Sequence, residues 1–352
     1  MHVITRSGHL RTLFPSIPSY RLKQADEAVF RAQFHSWNDV TMLPKDMRET
    51  MAKEIPWISV TLVRMFESNR GDTYKAIIKG EDGKMFETVL MANARDQWTI
   101  CVSSQIGCAM GCVFCATGKM GFKRHLTSDE IADQLRFWQA FLRERPTLPQ
   151  RISNVVFMGM GEPLANVANV KEAIRLWTTF TDIGPTHITV STVGILPALE
   201  KLLTDKEWPK VRIAISLHSP DEKRRKEIVP STEHEFHRKL AKWCNKYNQF
   251  LGNRRHYLTF EYTLIENVND SPEHAHELAA FMEQAGGPHL NVIPLNPIAG
   301  SPLQKSSRDR IEKFKKVILG HGLDVTERKT MGDDIAAACG QLVTETLPLK
   351  VG

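Results

Sequence analysis

The sequence predicts an α/β protein in two parts, a small N-terminal α/β module followed by a longer core built on a parallel sheet. Strand-like and helix-like segments alternate from Arg95 onward, the mark of repeated βα units. Ahead of that point, helical patterning gives way to three strand-like runs. The composition is that of an ordinary globular chain, 42% apolar and 24% charged over 352 residues. No run approaches the roughly 18 apolar residues that a membrane span needs.

In the N-terminal module, residues 21–34 read as a helix because Leu22, Ala25, Ala28, Val29 and Phe34 can share one face. A second short helix is expected at 45–54. Strands are expected at 58–66, 73–78 and 85–91, the last two joined by the turn residues Glu81-Asp82-Gly83. The boundary falls near Asn93, which divides the chain into 1–93, 94–330 and a tail, 331–352.

The core yields strand candidates at 98–102, 154–158, 187–191, 211–217, 257–263, 290–295 and 323–327. The helix after the first begins with the capping box Thr127-x-x-Glu130 and runs toward Arg143. Further helices are expected at 167–180, 196–203, 235–247, 272–285 and 308–319. Periodicity leaves a barrel and an open doubly wound sheet as alternatives. On either, sites gather at the C-terminal ends of the strands.

The most telling local pattern follows the first core strand. In Cys108-Ala109-Met110-Gly111-Cys112-Val113-Phe114-Cys115, three thiols sit at C-x3-C-x2-C spacing with no fourth at a matching interval. Four cysteines close an ordinary iron–sulfur or structural zinc site. Three can hold a cubane with one iron left open. A zinc site completed by a distant cysteine and unliganded buried thiols are the plainer readings. Six cysteines in this length do not make a disulfide scaffold. An oxygen-sensitive cluster would call for a reducing cytoplasm. The N-terminus lacks the pattern of a secretory signal. The net charge of +6 and a pI near 8.9 lean weakly toward a polyanionic partner.

Polar residues recur at the other strand ends. Met158-Gly159-Met160-Gly161-Glu162-Pro163 follows the second strand, where glycines allow close backbone approach and a carboxylate can bind an ammonium group. Ser191 ends the third strand, Ser216-Leu217-His218 the fourth, and Asn296 follows the sixth. Singly each reads as structural; together they suggest a shared ligand. The basic runs Lys223-Arg224-Arg225-Lys226 and Arg254-Arg255-His256 are solvated faces or RNA contacts.

The three cysteines and the glycine-rich turn resemble radical S-adenosylmethionine enzymes. Residues 101–108, Gly159–Pro163, Ser216–His218 and 332–342 (GDDIAAACGQL) together resemble the RlmN/Cfr family of RNA adenine methyltransferases. The resemblance implies a partial (β/α)6 barrel with an N-terminal RNA-binding domain and a short mobile C-terminal tail. It implies a 4Fe-4S cluster on Cys108, Cys112 and Cys115. It places S-adenosylmethionine against Gly161, Glu162, Ser191, Ser216, Leu217, His218 and Asn296. Cys339 matches the cysteine that carries a methyl group, Cys101 the one that resolves the RNA adduct, and Glu87 the general base. Cys244 matches nothing and reads as structural.

In the implied chemistry, one S-adenosylmethionine methylates Cys339. A second yields a radical that activates this methyl group for addition to an electron-poor adenine carbon. Cys101 then releases the product as a disulfide forms with Cys339, and a thiol reductant resets the pair. The expected partners are 23S rRNA, with tRNA open, and an electron donor such as flavodoxin; a cytoplasmic monomer is expected. Carbon 2 is favoured over carbon 8, although Cys115–Gly118 and His218–Pro220 look more Cfr-like. A peptide-modifying or glycyl-radical-activating enzyme and a zinc-stabilised RNA-binding module are the readings of other classes.

Overall fold

The computed structural model describes residues 3–93, 95–250 and 258–343. Three helices open the chain: α1 (Arg6–Leu13), α2 (Ser19–Phe30) and α3 (Lys45–Glu54). They enclose a core of their own around Leu10, Leu22, Val29, Trp37 and Met51. The expected helix at 21–34 ends early, at Phe30. The Asp39 carboxylate accepts the His35 and Ser36 N–H groups at 2.9 and 2.8 Å, capping a separate short turn that buries Trp37.

Strands β1 (Thr61–Glu67), β2 (Thr73–Lys79) and β3 (Met85–Ala92) form an antiparallel meander. β3 then pairs antiparallel with β4 (Trp98–Cys101), so one sheet runs through the connection at Asn93. β5 (Gln105–Ile106), α4 (Ala116–Lys119) and β6 (Arg124–His125) follow as a small excursion holding the cysteine loop. The core continues as α5 (Ser128–Arg143), β7 (Ile152–Phe157), α6 (Val167–Phe180), β8 (Ile188–Thr192), α7 (Leu196–Thr204) and β9 (Arg212–Ser216). α8 (Glu222–Ile228), α9 (Phe236–Phe250), β10 (Leu258–Leu264), α10 (Pro272–Gln284), β11 (His289–Pro294), α11 (Arg308–Gly320) and β12 (Val325–Glu327) complete it.

The sheet order is β1-β2-β3-β4-β7-β8-β9-β10-β11-β12, parallel from β4 onward. No strand pair joins β12 to β1 among the described residues, so the barrel is partial. The parallel strands stand in chain order with no reversal, as in a barrel and unlike a doubly wound sheet, which settles the choice between the two. The shared direction brings Cys101, Phe157, Thr192, Ser216, Leu264 and Pro294 to one mouth.

Two ion-pair networks tie the N-terminal elements to α5. The Arg6 guanidinium bonds Asp129 at 2.9 Å and Asp133 at 3.0 Å, all nearly inaccessible to water. Arg124 bridges Asp82, in the β2–β3 turn, and Glu130, each at 2.8 Å. The capping box at Thr127 forms as its sequence predicts, and Glu130 serves both devices. α1 and α8 lay outside the sequence reading, α1 because its sequence carries little apolar patterning.

Candidate active site

The cysteine loop leaves the mouth of the barrel after β4 and turns back on itself at Gly107. This residue has φ +71°, and an added Cβ would stand 1.8 Å from the Gly121 carbonyl oxygen. Cys108 and Cys112 are buried, Cys115 partly so. All three line one cavity together with Gly161, Glu162, Ser191, Ser216, His218, Asn296 and Cys339. Burial pushes the Cys108 thiol up to about 12, and raises Cys112 and Cys115 as well. Buried thiolates therefore need positive charge, which bound iron would supply. Among the described residues no His, Cys, Asp or Glu side chains converge as ligands of a single ion. Three thiols spread around one cavity suit a multi-iron cluster, in which each thiolate takes a different iron.

The glycine-rich turn has a second reason for its glycines. A Cβ on Gly161, at φ +99°, would lie 2.4 Å from Gln105 Cβ, and one on Gly159 would lie 2.7 Å from the Val102 carbonyl oxygen. The turn packs onto the segment after β4, where the Gln105 side-chain oxygen accepts the Glu162 N–H at 2.8 Å. The buried Glu162 carboxylate accepts the Leu164 and Val193 N–H groups at 2.9 and 2.8 Å. A carboxylate offers about four acceptor positions, so acceptor capacity remains for an ammonium ligand.

His218 adopts φ +59° and is buried. Its Nδ1 accepts the Thr263 N–H at 3.0 Å, which puts the ring proton on Nε2. Burial, with Arg225 nearby, lowers its pKa to about 3, so the ring is a neutral donor. The Asn296 side-chain amide donates to the Cys339 carbonyl oxygen at 3.0 Å, joining the cavity wall to the tail. Leu217 is the exception among the expected cofactor contacts. Its side chain is fully buried in the main core and does not line the cavity, because the residue after β9 turns inward there.

The described part of the tail is seated on the mouth. Gly340 O accepts the Ala116 N–H at 2.7 Å, and Leu342 O accepts the Thr117 hydroxyl at 2.7 Å. This leaves Cys339 exposed and Cys101 buried. Both border a second, wider cleft with Met158, Asn296 and Arg328. Arg70, Lys305, Arg308 and Lys329 give its rim a basic character. Glu87, on β3, is fully buried and lies on the wall of neither cavity. Its carboxylate accepts the Val343 N–H at 2.9 Å and stands 3.2 Å from the Lys75 ammonium.

Several residues of this region carry no clear signal in the sequence. Glu261 lines the same cavity as the three cysteines and pairs with Arg328 at 3.1 Å. Its signal was a lone charge within the otherwise uncharged strand Leu258–Leu264. Arg225, read as part of a basic surface run, is instead buried against Phe236. It donates to the carbonyls of Leu217, Val193 and Ser216 and to the Thr232 hydroxyl, at 2.6–3.1 Å, fastening the strand ends of β8 and β9. Arg224 of the same run pairs with Glu277 at 3.1 Å. The run at 254–256 lies outside the described residues. Cys244 is fully buried on α9, as its structural reading requires. No described helix is long and apolar enough to cross a membrane.

Comparison with known proteins agrees with this architecture. Residues 102–279 match the Radical SAM superfamily. The chain is 40% identical over 317 residues to "Ribosomal RNA large subunit methyltransferase N" of Nitrosopumilus maritimus, covering 88% of each chain. It is also 40% identical over 329 residues to "Probable dual-specificity RNA methyltransferase RlmN" of Dictyoglomus thermophilum, covering 92% of this chain and 90% of the relative. The crystal structure of a radical SAM methyltransferase from Sphaerobacter thermophilus superposes with a TM-score of 0.86 at 36% identity, over 97% of this chain and 98% of that one.

Proposed function

Because the chain belongs to the RlmN family of radical S-adenosylmethionine RNA methyltransferases, we propose that it methylates carbon 2 of an adenosine in 23S rRNA, and in tRNA as a further substrate. The observation that carries this reading is the placement of Cys339, which borders the cavity of the three-cysteine loop and also the wide basic cleft that holds Cys101. A group carried on that sulfur can face the cofactor on one side and an RNA base on the other.

Cys108, Cys112 and Cys115 would hold the cluster. Gly161, Glu162, Ser191, Ser216, His218 and Asn296 would hold S-adenosylmethionine, with Leu217 packing behind the wall. When bound, these groups supply the methyl group and the radical chemistry that an unreactive aromatic carbon requires. The remaining work belongs to this chain's side chains. The Cys339 sulfur takes a methyl group and gives up its thiol proton. The methyl group would lose a hydrogen atom to the radical chemistry of the bound cofactor, its carbon would join the adenine ring, and the odd electron would return to the cluster. The ring-carbon proton then passes to a base, the role the family resemblance gives to Glu87, which lies behind the cavity walls. Cys101, having given up its thiol proton, then attacks the Cys339 sulfur; a disulfide forms as the carbon–sulfur bond breaks, and the freed carbon takes up a proton to become the methyl group of the departing base. A thiol reductant returns both cysteines to thiols. The basic rim would meet RNA phosphates while the target base enters the cleft unstacked.

Mass spectrometry of nucleosides from rRNA and tRNA, prepared with and without this chain, tests the reading. Gain of 2-methyladenosine is the expected result. An 8-methyl product would overturn the carbon assignment, and absence of any methylated adenine would overturn the activity.

A further inference from the structure

The Lys75 and Glu87 side chains face one another from the neighbouring strands β2 and β3, both nearly inaccessible to water. The pair is close, 3.2 Å from Nζ to Oε1, yet Oε1 has no aligned hydrogen bond and is a buried acceptor without a partner. The same ammonium donates to the Ala336 carbonyl oxygen at 3.1 Å. The other carboxylate oxygen accepts the Val343 N–H at 2.9 Å. A single ion pair thus grips the tail at two points that bracket Cys339. Phe66 holds the ammonium from the side, its ring centroid 5.0 Å away.

We propose that Lys75 is a positioning residue, whose ammonium seats the Cys339 segment over the barrel mouth while keeping the Glu87 carboxylate available to accept a proton. Lys75 lines neither cavity and so acts through these two partners. Its consequence for turnover rests on the methyl-carrier reading of Cys339, but its grip on the tail does not.

Electrostatics supports the second half of the proposal. Burial raises Glu87 to about 7, and Lys75 opposes that rise as the one charged group facing it among the described residues; the Val343 N–H opposes it too. A base with this pKa gains its working, ionised form as pH rises through 7. Loss of the Lys75 cation makes the carboxylate hold its proton to higher pH.

The test uses the full chain with Lys75→Met and Lys75→Arg. Hydrogen exchange of the amides at 336–343, without RNA or cofactor, should quicken at least tenfold in Lys75→Met, while β2 and β3 keep their protection. The single-turnover methylation rate should rise with pH at a higher pH than in the native chain. Lys75→Arg, which keeps the charge, should restore both. Lys75→Gln carries the same test if the Met variant lacks a native melting transition. Unchanged tail exchange, an unmoved pH profile, or failure of Arg to restore either would overturn the proposal. The exchange measurement needs no catalysis, so it stands apart from any failure of the methyltransferase reading.

Discussion

Glu162 illustrates how one side chain can serve both fold and ligand. Its carboxylate anchors two backbone N–H groups across the β7 and β8 loops, and it lines the cavity proposed to hold the cofactor. Glu162→Ala should therefore weaken S-adenosylmethionine binding by about 1.5–3 kcal/mol, the scale of one charge-assisted contact. Isothermal titration of cluster-loaded protein checks this, and an unchanged Kd would remove Glu162 from the binding site. At this scale the sequence was uneven. Cysteine spacing and strand-end polar residues pointed to one cavity, whereas Leu217 occupies the core. Backbone direction after β9 decides that, and no motif encodes it. Arg225 is buried where its sequence suggests a surface, because four basic residues in a row give no sign that one of them points inward.

Among the elements, the cysteine loop depends most tightly on a single backbone position. At Gly107 the left-handed φ alone would cost another residue about 1–2 kcal/mol, and the Gly121 carbonyl leaves no room for a side chain. Gly107→Ala should displace the loop and lower the iron content of anaerobically reconstituted protein, while far-UV circular dichroism stays native. Full iron loading would contradict the role given to this turn. Most core elements were legible because each combines a periodic apolar face with a boundary signal. The helix Val167–Phe180 matches its expected limits, and the capping box marks the start of α5. The N-terminal helix Arg6–Leu13 was not legible. It is held by the buried contacts of Arg6 with α5, across more than a hundred residues of sequence.

That long-range contact governs how the whole molecule holds together. The N-terminal helices have their own core, while β1–β3 extend the barrel sheet and Arg6 locks α1 to α5. Arg6→Met would leave Asp129 with its Arg6 ion pair lost in a buried site, and a broken buried pair costs about 3–5 kcal/mol. Chemical denaturation should show that loss; a change within about 0.5 kcal/mol would place the coupling elsewhere. The open barrel collects six strand ends at one mouth, and the tail lies across it with Cys339 between two cavities. Parallel pairing was expected from the βα alternation, but the continuity of the N-terminal meander with the barrel depends on β3–β4 pairing, which local patterning does not reveal.

The covalent role proposed for the two cysteines at this mouth is tested most directly by Cys101→Ala in cluster-loaded enzyme given S-adenosylmethionine, reductant and RNA. The carbon–sulfur bond to Cys339 should form and then persist, since no second sulfur can attack it. Denaturing electrophoresis should show an RNA–protein adduct that disappears when Cys339 is also replaced by Ala. Normal turnover by Cys101→Ala without trapped RNA, or adenine methylation by Cys339→Ala, would contradict the account.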